Sequence, residues 1–340
     1  MNNDELVPRK PALMMRIFGW SMLATLFTYL LNNYFVVEND LPGIATLFKG
    51  ELATPALIQA GVYLVGILIA IIYVMGSRSK SLRTDASLIT RFNTFLIRGF
   101  FWAVLFVGLA DMSISFLRVE GLLGNIVGPE LLKELGRSTF RGLYVHYPLI
   151  ALGFFIALFT RTLGFHWLTL LIVMAELTIV ITRFIFSYEQ AFMGDLVRFW
   201  YAALFLFASA YTLLNEGHVR VDVFYAGLSR RTKGRVNTFG AIVLGMSVCW
   251  TIIIIGFKGK ASIIYGPLSN FEVSQSGFGM YTKYLMAGFL AVFAVTMLIQ
   301  FVSQMFESHA DVRQDSGGKI DIHNEDDDND YRVADITPTH

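Results

Sequence analysis

Ionisable residues inside long apolar stretches are the first candidates for chemistry, because a charge in hydrocarbon costs several kcal/mol unless it is paired or lies near an interface. Asp111 is one, with Arg118 seven residues on and on the same helical face. Glu176 is another, followed at the same interval by Arg183, which could also reach Asp195 at the head of the next apolar stretch. A series of such groups could pass protons or ions across a membrane. Paired off, they would instead fix the register of neighbouring helices. Both readings stay open at this point, and Glu176, which has no near partner in sequence, fits the second least well.

Other chemistries find less support. Of six histidines only His146 and His166 lie in or beside apolar stretches, and they begin successive antiparallel helices. The rise of a helix then separates them by about 20 Å or more, at opposite membrane faces, which disfavours a bis-histidine haem. The single cysteine, Cys249, excludes a disulfide framework, a CxxC redox pair and a cysteine-ligated metal cluster, and reads as a small apolar side chain within a helix. No Walker loop, GxSxG or HExxH occurs. No catalytic residue, metal or cofactor is therefore expected, and the chain does not read as an enzyme.

The elements that carry these groups follow from composition. Of 340 residues 55% are hydrophobic and 16% charged, against about 45–50% and about 25% in a soluble chain. Eight stretches approach the roughly 20 apolar residues a membrane helix needs. They run from Ile17 to Val37, Pro55 to Gly76, Phe95 to Leu117, Gly142 to Thr160, Phe165 to Ser187, Leu196 to Asn215, Thr238 to Phe257 and Tyr284 to Gln304. The first is too long for the apolar part of a signal peptide and lacks a cleavage pattern, so it reads as a retained span. Arg161, Thr162, Leu163 and Gly164 form the shortest turn, and the count of eight depends on it. The fold class is thus all-α polytopic, with about eight transmembrane helices plus interfacial amphipathic ones.

Charge orients the chain. Placing both termini in the cytoplasm puts 17 of the 27 lysines and arginines on that side. Residues 304–340 hold 10 acids and 3 bases, and residues 1–303 hold 24 bases and 16 acids, so a basic body carries an acidic tail. The tail from Glu307 has too little apolar surface to fold alone and reads as disordered. Residues 119–141 interleave leucines with Glu130, Lys133, Glu134 and Arg137, as in a helix lying on the outer interface. Trp20, Trp167 and Trp200 fall near span ends, where amphipathic rings sit at headgroups. Gly240, Ala241 and Gly245 would let helices pack closely.

The most specific stretch is 215–231, NEGHVRVDVFYAGLSRR. His218, Arg220 and Asp222 alternate with valines, and an apolar run then passes into Arg230, Arg231, Lys233 and Arg235. That pattern fits a connection held at anionic phospholipid headgroups. It also resembles the HVRVD signature of the small, DctQ-type membrane subunit of tripartite ATP-independent periplasmic (TRAP) transporters. The resemblance runs from about Leu163 to Phe306 and includes a span ending Thr182-Arg183-Phe184-Ile185-Phe186. Asp195 stands where much of the family has Glu, and Phe207-Ala208-Ser209-Ala210 replaces a more usual Gly-Ala-Ala.

The resemblance implies a scaffold subunit of a sodium-coupled secondary transporter in a bacterial inner membrane. Its partners would be a large permease subunit, a periplasmic binding protein that delivers an organic anion, commonly a carboxylate, and phospholipids, with no nucleic acid. His218, Arg220, Asp222, Arg230 and Arg231 would contact a subunit or lipid, or His218, Arg220 and Asp222 would form a local salt-bridged cap. The organisation expected is an additional four-span region over 1–162, a four-span TRAP-like domain over 163–306 and an acidic cytoplasmic tail over 307–340. The alternatives are a membrane anchor for a redox enzyme and an independent channel. The transported substrate is not encoded in this chain.

Overall fold

The computed structural model describes residues 12–50, 52–161, 164–188, 190–214, 225–273 and 279–315. Every regular element among them is helical. In order they are α1 (Leu13–Glu38), α2 (Thr54–Gly76), α3 (Leu82–Val119), α4 (Leu123–Leu135), α5 (Ser138–Ala157), α6 (Phe165–Ile185), α7 (Ala191–Leu214), α8 (Arg230–Gly256), α9 (Tyr265–Ser269) and α10 (Lys283–Arg313). A short 3-10 turn, Ile44–Lys49, lies between α1 and α2. Among the described residues eight helices, all but α4 and α9, are long and apolar enough to cross a membrane.

Local chemistry sets several of the ends. Pro55 occupies the first turn of α2, where its missing N–H is not needed. The Ser229 hydroxyl accepts from the Thr232 N–H and caps α8. At the end of α5 the Arg98 guanidinium donates to the Thr160 carbonyl and covers the otherwise unpaired C-terminal turn. Gly164, at φ 77°, starts α6 from a left-handed conformation that glycine adopts without strain, so the short turn does separate two spans. In α4 the Gly128-Pro129 pair breaks the helix, with Gly128 at φ 78°.

Three helices are longer than their apolar runs. α3 starts at Leu82 rather than near Phe95, and the added turns bury Asp85, Thr90, Asn93 and Thr94. A hydropathy window misses them because the buried face itself is polar. α8 starts at Arg230, and α10 continues to Arg313, past the Glu307 at which the acidic tail was expected to begin. Glu307 and Ser308 are buried in that last stretch.

The chain divides into two compact units: Met1–Thr90 with Val219–Ser247 and Phe301–His340, and Arg91–His218 with Val248–Gln300. Three of the four boundaries fall within α3, α8 and α10. In the first unit α1 packs on α2. Gly234 there brings α8 against the α10 backbone, since a Cβ would lie 2.6 Å from the Ser308 carbonyl oxygen. Gly245 faces the Phe301 ring and Ala241 is buried, whereas Gly240 meets nothing and takes no part in packing. Trp20 donates to Asp85 at 3.1 Å.

In the second unit an aromatic core joins Phe100, Phe101, Phe207 and Phe289. Trp200 is buried over Gly108 rather than placed at an interface, while Trp167 is exposed. Gly153 of α5 meets the α3 backbone, where a Cβ would lie 2.5 Å from the Ala103 nitrogen. Backbone cannot move aside as a side-chain tip can. Gly153→Ala should therefore lower the stability of the detergent-solubilised protein by about 1–3 kcal/mol. Gly61→Ala, at a position with open space around it, should leave thermal unfolding unchanged in the same assay.

Candidate functional site

The densest set of ionisable side chains in the spans lies in the second unit, around Asp111 of α3. Its carboxylate is fully buried. One oxygen accepts from Arg141 Nη1 at 2.9 Å and lies 3.1 Å from His146 Nε2; the other accepts from the Tyr281 backbone N–H at 2.7 Å. On its far side His146 Nδ1 is 2.8 Å from the Tyr284 hydroxyl. A neutral imidazole with its proton on Nε2 satisfies both contacts, since Nε2–H then donates to Asp111 and Nδ1 accepts from Tyr284.

Arg141 is equally buried. Its Nε donates to the Leu135 carbonyl at 2.5 Å, Nη1 reaches the Ser115 hydroxyl at 3.3 Å, and its Cζ sits 4.1 Å from the Tyr281 ring centroid. Asp111 and Arg141 thus cancel each other's charge inside a volume that water does not reach. The geometry rests on an irregular turn. Residues Gly142–His146 form a π-helical segment in which the Tyr147 N–H donates to the Gly142 carbonyl. Five residues of regular α-helix would leave Arg141 and His146 about 140° apart around the axis, whereas i→i+5 bonding stacks residues five apart on one side. Both side chains therefore meet the same carboxylate. Pro148, which cannot donate to a helical carbonyl, follows directly.

The first unit holds the other buried charges. Arg16 donates to Asp85 at 2.6 Å and to the Ser77 carbonyl at 2.7 Å. Arg83 bridges Glu307 at 2.5 Å and Asp311 at 2.9 Å, and Arg230 adds a second base to Asp311 at 2.7 Å. The Thr90 and Ser303 hydroxyls meet at 2.7 Å. The Arg83 and Thr90 contacts tie α3 to α10, the Arg16 contact ties α1 to α3, and the Arg230 contact ties α8 to α10.

The residues singled out by sequence divide accordingly. Asp111 is central, but Arg118 is not its partner and instead donates to the Tyr281 hydroxyl at 2.6 Å. Asp195 accepts from the Met280 N–H at 3.1 Å and lies 3.6 Å from Arg198, so the expected bridge to Arg183 is replaced by nearer groups. Glu176 and Arg183 are both exposed on α6. Arg230 pairs with Asp311 of its own chain, and Arg231 is exposed. His218, Arg220 and Asp222 lie outside the described residues.

Sequence reasoning passed over Arg141, His146, Tyr281 and Tyr284 as partners of Asp111. The available signal was depth: Asp111 near the end of one span, Arg141 and His146 at the start of the next. Beyond the end of α6 Tyr188 donates to Glu120, and that carboxylate raises the pKa of the phenol.

Removing one member of a buried pair leaves the other charge uncompensated. Asp111→Asn should cost about 3–5 kcal/mol in thermal or denaturant unfolding. Tyr281→Phe, which keeps the backbone donor to Asp111 and loses only a hydroxyl, should cost about 1 kcal/mol.

Residues 169–310 match the model of the family described as Tripartite ATP-independent periplasmic transporters, DctQ component. Comparison with curated proteins and with solved structures gives no match. The match starts within α6 and ends within α10, so Tyr281 and Tyr284 belong to it, while Asp111, Ser115, Arg141 and His146 precede it. The Asp111 cluster therefore joins the additional amino-terminal region to the family domain. Residues 169–310 are thus a DctQ-type component of TRAP transporters, carried behind extra amino-terminal spans.

Proposed function

We propose that this chain is the scaffold subunit of a sodium-coupled TRAP transporter that imports an organic anion, a carboxylate being the expected class. It would work with a large permease subunit that carries substrate and sodium and with a periplasmic protein that delivers the substrate. The observation that carries this reading is the DctQ match over 169–310, set in spans joined by buried, mutually neutralising side chains. Helices tied by Arg16–Asp85, Arg83–Glu307 and Asp111–Arg141 suit a fixed support better than a moving carrier.

The protein would lie in the bacterial inner membrane with both ends in the cytoplasm. That orientation puts Arg83, Arg230 and Arg231 at the cytoplasmic surface, where Arg231 is free to meet phospholipid headgroups, and the Asp111 cluster near the periplasmic side. His218, Arg220 and Asp222 remain candidates for subunit or lipid contact. A redox-anchor role is less well supported, because His146, one of the two histidines considered for haem, is committed to Asp111 and Tyr284.

Reconstitution tests the reading. Liposomes holding this chain and the large subunit, with the binding protein outside, should accumulate radiolabelled carboxylate under an inward sodium gradient. Omitting this chain should reduce uptake to background. Unchanged uptake without it, or transport by this chain alone, would overturn the scaffold reading, and haem absorbance in the purified protein would restore the redox anchor.

A further inference from the structure

α6 is among the least covered spans: 17% of its most apolar window is buried, against 44% for α10. Seams stepping by four and three residues run along it, each about 100° from the next. Leu168, Ile172 and Ala175 are buried and Ile179 and Thr182 partly so; this seam is packed within the chain, where α6 lies on α7. Leu170, Met174, Leu177, Ile181 and Phe184, on the opposite side, are all exposed and all apolar. That side has the composition of a surface in contact with lipid.

The flank between them differs. Thr169, Val173, Glu176, Val180 and Arg183 are all exposed, and the seam places a carboxyl about 16 Å along the helix from its start, in the middle of a span. Among the described residues Glu176 and Arg183 have no hydrogen bond or ion pair. An acid at mid-depth facing lipid costs several kcal/mol, whereas threonine is among the residues enriched where transmembrane helices pack together. The polarity of this flank and the apolarity of the opposite side are therefore opposite demands on the surroundings.

We propose that the Thr169–Val173–Glu176–Val180–Arg183 flank of α6 is the seam on which a transmembrane helix of the large membrane subunit docks. That helix presents a base or hydrogen-bond donor to Glu176 and an acid or acceptor to Arg183. This rests on the scaffold reading above. A second copy of this chain is the wrong occupant, because copies inserted in the same direction and related by a two-fold axis along the membrane normal would oppose Glu176 to Glu176 and Arg183 to Arg183. The seam also begins with the family match at residue 169.

Photo-crosslinking in the full chain, co-expressed with the large subunit, tests the seam. A benzoylphenylalanine at Val173 or Val180 should capture the large subunit roughly tenfold more efficiently than one at Met174 or Ile181. Glu176→Leu should lower the amount of co-purified large subunit roughly tenfold, a change of about 1.4 kcal/mol. Glu176→Gln, which keeps an acceptor, should lower it less, and neither should alter the melting of the isolated chain. Equal capture from both faces, capture of a second copy or of lipid alone, or undiminished co-purification of Glu176→Leu would each overturn the seam. If the unaltered chain still brings down the large subunit in those cases, the scaffold reading stands; if it never does, that reading falls too.

Discussion

A carboxylate that cannot reach water must find its counter-charge and its donors inside the protein, and Asp111 imposes that condition on three helices at once. Its partners come from α5 and from the residues entering α10, so the start of both spans must lie beside the far end of α3. The π-helical turn at Gly142–His146 is the local consequence, because a regular helix could offer Arg141 or His146 to that carboxylate but not both. Tyr284 completes the arrangement by using the second imidazole nitrogen. Loss of Asp111 would leave Arg141 and His146 buried without the carboxylate they share.

Apolar packing alone would not choose this arrangement. Lipid tails are as apolar as leucine, so burying one more leucine between two spans gains little over leaving it in the bilayer. What distinguishes one pairing of spans from another is close approach and polar matching, and both are concentrated on α3 and α10. These two spans have the most buried windows, 39% and 44%. In the first unit they are linked through Arg83–Glu307 and Thr90–Ser303, and in the second through Asn93, whose amide donates to the Thr296 carbonyl at 3.0 Å and to Gln300 at 3.2 Å. Because α3 precedes the family match and α10 lies almost wholly within it, the same contacts attach the additional spans to the shared domain.

The spans themselves were legible because a membrane helix is a compositional requirement: about 20 apolar residues in a row can be counted. The added turns of α3 were not, since Asp85, Thr90 and Asn93 look like a solvated loop until the groups that receive them are known. The same holds for Glu307, which belongs to an acidic tail by composition and to a buried ion pair by position. At the site, Asp111 stood out through its cost in the membrane, yet Arg118 seven residues on drew attention that belonged to Arg141, His146 and Tyr281, 30, 35 and 170 residues away. Sequence spacing reports neighbours on one helix. Partners on other helices require the register, which the polar groups themselves set.

Buried ion pairs are a poor source of net stability, because the energy of removing two charges from water nearly offsets their attraction. Replacing Arg16 and Asp85 together by apolar residues of similar size would therefore cost little, whereas breaking either pair alone costs much. The asymmetry explains what such pairs contribute here. They penalise every other register of the helices far more than they favour this one, so the spans hold one relative position rather than a family of nearly equal ones. For the scaffold role proposed above, that property matters more than a large folding free energy. It also explains why Glu176 stands apart: it has the same cost as Asp111 but no partner among the described residues, and an interaction that settles register between helices of one chain can equally settle it between two chains.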